Sequence, residues 1–122
     1  MAAPNIVNVT SIFGKTMGAS LGLTVTTDIL TCAANKVLKI NSIIVSNIDG
    51  TNVAAATVYF YDSSAAARYS IITSIDIPAA STLTVVGKDN PIYLEESDQI
   101  EAGASATGDL QIIISYEEID DA

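Results

Sequence analysis

Glu95, Glu96, Asp98 and Glu101 form a compact group of carboxylates. Paired carboxylates can run acid–base hydrolysis of a glycoside, and clustered ones can hold calcium through oxygen. These four fall in one polar corner between two strand-like segments, without EF-hand spacing and without a glycine between candidate ligands. Glu95, Glu96 and Asp98 are therefore expected to face solvent or a basic partner, and no metal site is assigned. Asn47-Ile48-Asp49-Gly50-Thr51-Asn52 is also rich in oxygen, but Asn, Asp and Gly are the residues a tight turn requires. Cys32 is the only thiol in a chain with no histidine. With no imidazole to make a thiolate, it reads as a small buried hydrophobe. The many serines and threonines show neither a Gly-x-Ser-x-Gly elbow nor a Ser-x-x-Lys pair. No enzymatic activity and no cofactor are expected.

Aromatic residues offer a second kind of chemistry. Tyr59 and Tyr61 share one face of a predicted strand, and tyrosine rings can stack on sugars or fill a subunit interface. Both are candidate partner contacts. So are Ile6, Val7, Ile12 and Phe13, two small apolar anchors in an N-terminal stretch that also holds Pro4, Gly14 and Gly18.

Charge narrows the partners. The 122 residues carry a net charge of −9. Residues 1–88 hold five bases (Lys15, Lys36, Lys39, Arg68, Lys88) against four acids, whereas residues 89–122 hold ten acids and no base. Such a surface repels phosphate, so nucleic acid is not an expected partner. Apolar residues make up 49% of the chain, enough for a sizeable core, but they occur in runs too short to cross a membrane. The first residues lack the basic cluster and apolar stretch of a secretory signal.

The elements that must carry these side chains are strands. Strand signals recur about every ten residues, and no segment sustains a helical period. They cover residues 21–32, 37–48, 53–61, 68–77, 81–86, 92–94, 99–104 and 109–119. The Ala-rich start of the third is too short to nucleate a helix before its β-branched and aromatic continuation. Short connections exclude the crossover helices of a parallel sheet. The expected fold is all-β: an antiparallel two-sheet sandwich of the jelly-roll kind, with about eight strands over residues 21–122. Residues 1–20 read as an extended arm that clamps a neighbour, the alternative being a first strand of the same sandwich. The predicted core is Leu38, Ile40, Ile44, Val58, Phe60, Leu83, Val85, Ile100, Leu110, Ile112 and Ile114. Ile43 and Val45 would then lie on the opposite face and favour self-association.

Three stretches carry a resemblance. They are Ala3-Pro4-Asn5-Ile6-Val7-Asn8-Val9 with Gly14-Lys15-Thr16; Lys36-Val37-Leu38-Lys39-Ile40-Asn41 leading to Val45-Ser46-Asn47-Ile48-Asp49-Gly50-Thr51-Asn52; and Ile92-Tyr93-Leu94-Glu95-Glu96-Ser97-Asp98 with Ile114-Ser115-Tyr116-Glu117-Glu118-Ile119. Together they resemble small virion structural proteins of marine tailed phages, cyanophages included. The resemblance spans nearly the whole chain and is most specific at Ser115 to Ile119. The chain departs from it at Ser97, where such proteins tend to carry glycine. It implies a non-enzymatic phage particle component assembled in the host cytoplasm; for a small, low-charge β-domain with an extended arm, the expected role is a capsid decoration or cement protein. A neck, tail or baseplate component, or a glycan- or receptor-binding module on the virion, are the alternatives. The implied partners are the major capsid protein or other virion proteins. Self-association is expected, with a trimer favoured because cement subunits commonly occupy capsid three-fold positions.

Overall fold

A computed structural model describes residues 9–24 and 27–121. Nine strands follow one another along the chain: β1 (Val9–Ser20), β2 (Thr27–Thr31), β3 (Lys36–Asn47), β4 (Ala54–Asp62), β5 (Ala67–Ile77), β6 (Thr82–Val86), β7 (Ile92–Leu94), β8 (Gln99–Ala104) and β9 (Leu110–Asp121). They form two antiparallel sheets, and the described residues contain no helix. The first sheet has the order β1-β9-β3-β6, with β7 beside β6 on the same flank of β3; the second has the order β2-β8-β4-β5. The pairs β1/β2 and β9/β8 thus run together through both sheets, as do β3/β4 and β6/β5. This is the jelly-roll arrangement, and it buries one face of each sheet against the other.

The eight expected strands are all present, and the ninth lies within the stretch read as an arm. From Ser11 to Ser20, β1 pairs residue by residue with β9, Ser11 opposite Asp120 and Ser20 opposite Gln111. A boundary at residue 20 therefore cuts through the first sheet. After β1 the chain crosses between the sheets: Leu21 N–H donates to the Leu110 carbonyl at 2.9 Å, and the Gly22 carbonyl accepts from Ala104 N–H at 2.8 Å.

The two inner faces are built from different sizes of side chain. The first sheet supplies Leu38, Ile40, Ile43, Val45, Leu110, Ile112 and Ile114, all buried. The second supplies Val58, Ile77 and Ile100 together with four buried alanines, Ala54, Ala56, Ala102 and Ala104. Large residues against small ones let the sheets close to native packing density. That accounts for the Ala-rich start of β4, which propensity alone would assign to helix.

One part of the predicted core is corrected. Ile44 is half-buried on the outer face, while Ile43 and Val45 are fully buried. The cause is a bulge: Ile40 lies opposite Tyr116 but Ser42 lies opposite Ser115, leaving Asn41 as an extra residue. One inserted residue turns every later side chain to the other face. The apolar outer face inferred from Ile43 and Val45 is therefore replaced by the neighbouring pair Ile44 and Ile113. Phe60, Leu83 and Val85 are half-buried and pack against the core rather than within it.

Candidate functional site

The acidic corner is a brace. Glu95 and Asp98 close the turn between β7 and β8, where Glu95 N–H donates to Asp98 Oδ2 at 3.0 Å and Asp98 N–H donates to the Glu95 carbonyl at 2.9 Å. Asp98 Oδ1 also accepts from Ser63 N–H at 3.0 Å and from Ser63 Oγ at 3.3 Å, which ties in the β4–β5 loop. Cys32 N–H donates to the Asp98 carbonyl, and Ser97 N–H donates to the Cys32 carbonyl. Asn35 N–H donates to Glu96 Oε1 at 3.0 Å. Three loops meet there, and Asp98 is buried at their centre. This corrects the expectation that all three acids face outward: Glu95 does, Glu96 does in part, and Asp98 is part of the fold. Ser97 adopts φ 71°, the left-handed conformation that favours glycine, so the turn forms with serine in that place.

Cys32 is buried, with Sγ donating to the Lys36 carbonyl at 3.2 Å. Burial raises its pKa to about 11, the carboxylates of Asp98, Glu118 and Glu96 adding to that effect. Such a thiol stays protonated and unreactive at neutral pH.

The tyrosines do not gather into one platform. Tyr59 and Tyr61 lie on the outer face of the second sheet, opposite Glu101 and Gln99 on β8 and opposite Ser70 and Arg68 on β5. The Arg68 guanidinium sits 5.8 Å from the centre of the Tyr59 ring, and its Nε donates to the buried Glu101 at 2.9 Å. Tyr59 is thus covered by a cation held in place by a carboxylate. Tyr69 instead stacks on Phe60, with ring centres 6.5 Å apart, and Tyr93 and Tyr116 belong to the first sheet.

Ile12 and Phe13 sit side by side on β1 and point to opposite faces, 52% and 49% exposed. Ile6 and Val7 lie outside the described residues. Where β1 begins, four charged groups form a chain that no local spacing announces. Lys15 Nζ lies 3.1 Å from Glu118, Lys36 Nζ lies 3.8 Å from the same carboxylate, and Lys36 also pairs with Asp120. Ser11 Oγ donates to Asp120 at 3.2 Å. The Lys36 hydrogen bond holds the Asp120 carboxyl below its ordinary pKa and raises that of Lys36 itself. These contacts pin the start of β1 to β9 and β3. Among the described residues, no His, Cys, Asp or Glu side chains are grouped so as to hold a metal ion.

What the surface offers is edges and faces. β1 borders the first sheet over twelve residues with no acidic side chain. No protein-family model matches the chain, and no curated protein matches it.

Proposed function

We propose that the chain is a non-enzymatic structural subunit of a tailed-phage virion, a decoration protein that binds the major capsid protein and stabilises the head shell. The observation that carries this reading is the outer edge of β1, where Ile12 and Phe13 are half exposed on a strand held rigidly by β9. Adjacent apolar side chains on a fixed strand can anchor a subunit to a neighbouring surface. The jelly-roll sandwich and the resemblance of the sequence to small virion proteins support the same reading. Tyr59 lies beneath Arg68 rather than open to a sugar ring, which disfavours glycan binding there.

Quantitative mass spectrometry of purified virions tests the proposal. A decoration protein is expected in hundreds of copies per particle. A few tens would place it in the neck, tail or baseplate, and absence from the particle would overturn the virion role. Purified protein added to particles lacking it should raise their melting temperature. Replacing Ile12 and Phe13 with serine should remove that effect without unfolding the domain.

A further inference from the structure

We propose that β1 pairs antiparallel with β1 of a second copy about a two-fold axis at Thr16, joining the first sheets of two molecules into one. This contact is independent of the virion role: it takes the backbone edge of β1, whereas binding to the shell takes the side chains above and below that strand.

Which backbone groups are available follows from the ladder. Leu21 N–H donates to the Leu110 carbonyl, and the β1–β9 register runs unbroken from Ser11 to Ser20. Hydrogen-bonded pairs alternate along an antiparallel ladder, so the odd-numbered residues of β1 turn their N–H and C=O toward β9. The even-numbered residues Ile12, Gly14, Thr16, Gly18 and Ser20 turn theirs outward.

Pairing centred on Thr16 uses all five. It sets Thr16 against its counterpart, Gly14 against Gly18 and Ile12 against Ser20, and each hydrogen-bonded pair exchanges two bonds. On the other face Lys15 falls opposite Met17, and Phe13 opposite Ala19. The neighbouring register, centred on Lys15, would place two ammonium groups directly opposite each other, which is unfavourable.

Shape and charge select a second copy as the occupant. A shallow open depression of about 390 Å³ is lined by Gly18, Ala19, Ser20, Gln111, Ile112 and Ile113. The Thr16-centred register brings the exposed Ile12 of each copy alongside Ser20 and Gly18 of the other, at this depression. A Cβ on Gly14 would meet nothing within 4 Å, and the nearest atom to one on Gly18 is the Ile112 carbonyl at 3.6 Å, so both positions leave room for a strand. Each chain carries a net −9, and like-charged copies approach best where acids are absent. Among the edges, β2 carries Asp28 and β5 carries Asp76, while the β6/β7 flank is broken by residues 87–91. From Ser11 to Ser20, β1 is unbroken and free of acids. The same geometry favours two copies over the trimer expected from capsid symmetry, because an isologous antiparallel contact closes after two.

Sedimentation of the full-length protein from about 1 to about 100 µM tests this, a range that spans ordinary dimer affinities. The expected mass is that of two chains. Thr16→Pro removes an outward N–H while leaving the ladder to β9 intact, and should weaken association at least about tenfold with a cooperative melt retained. Should that variant fail to fold, Thr16→Cys decides: air oxidation should give a covalent dimer, with the buried Cys32 taking no part. A monomer across the range, a three-copy mass, a folded Thr16→Pro variant that associates like the parent, or no cross-link from Thr16→Cys would overturn the proposal.

Discussion

β1 and β5 are the two long sheet edges, twelve and eleven residues, and only β5 is protected against pairing. β5 is the more apolar, with Tyr69, Ile71, Ile72, Ile75 and Ile77, yet its backbone is irregular. Two register shifts interrupt it, one opposite Thr57 and one between Val58 and Tyr59. Ser74 takes φ 49°, and its N–H donates to Thr57 Oγ1 at 3.0 Å rather than to a regular ladder. β1 is less apolar but regular from Ser11 to Ser20. Bulges disrupt the row of donors and acceptors that an incoming strand needs, so the apolar edge is blunted and the plainer one is left open. Backbone geometry, more than side-chain polarity, separates a closed edge from a pairing edge.

Removing the open edge should have the largest effect. Deleting residues 1–20 takes away about ten backbone hydrogen bonds to β9, worth about 1 kcal/mol each, and the half-buried Met17 and Ala19 with them. That is comparable to the whole stability of a small domain, about 5–15 kcal/mol. Circular dichroism should show no cooperative melt. A truncated chain that melts like the parent would make β1 an appendage, as an arm would be. One step smaller, Ile112→Ala should cost about 2–5 kcal/mol, because Ile112 is fully buried on the inner face of β9, between β1 and β3. Ile113→Ala, on the outer face, should cost within about 0.5 kcal/mol in the same denaturant titration. Equal costs would mean that β9 does not alternate as described.

How much of this was readable beforehand depended on whether a pattern ran without interruption. Leu110, Ile112 and Ile114 alternate cleanly, and their burial follows from period two alone. The same logic failed on β3, since nothing in the residues around Asn41 marks it as extra; only pairing with β9 reveals the bulge. β1 was readable as extended but not as a sheet member, because an edge strand needs little apolar surface of its own. Asp98 was misread because residue type predicts exposure for an aspartate, while its burial depends on amides that distant loops deliver. The Lys36–Asp120 contact joins residues 84 apart, a distance over which spacing carries no signal.

The closed edge can be opened by a smaller change. Thr57→Val keeps the shape of a buried side chain but removes the oxygen that accepts from Ser74 N–H. Losing that acceptor should cost about 1 kcal/mol, and it frees the bulge to straighten. Concentration-dependent light scattering near the melting transition should rise for Thr57→Val relative to the parent. No change in melt or scattering would show that the bulge persists without its side-chain lock.

The smallest effect concerns how the open edge is anchored at its start. Asp120 accepts from Ser11 on β1 and pairs with Lys36 on β3, and the Lys36 hydrogen bond lowers its pKa below the ordinary 3.8. A carboxylate with a depressed folded-state pKa stabilises the fold fully above its unfolded pKa, and that contribution is lost as pH falls through the folded value. The loss should therefore begin near pH 4 and be complete in stronger acid. Asp120→Asn should lower stability at neutral pH by a small amount, in keeping with a solvent-screened pair, and should flatten this part of the acid profile. Amide hydrogen exchange locates the effect: protection should fall at Ser11 and Phe13 and stay unchanged across β5. If exchange at β5 rises as much as at β1, the pair stabilises the domain as a whole and does not act as an anchor for the edge.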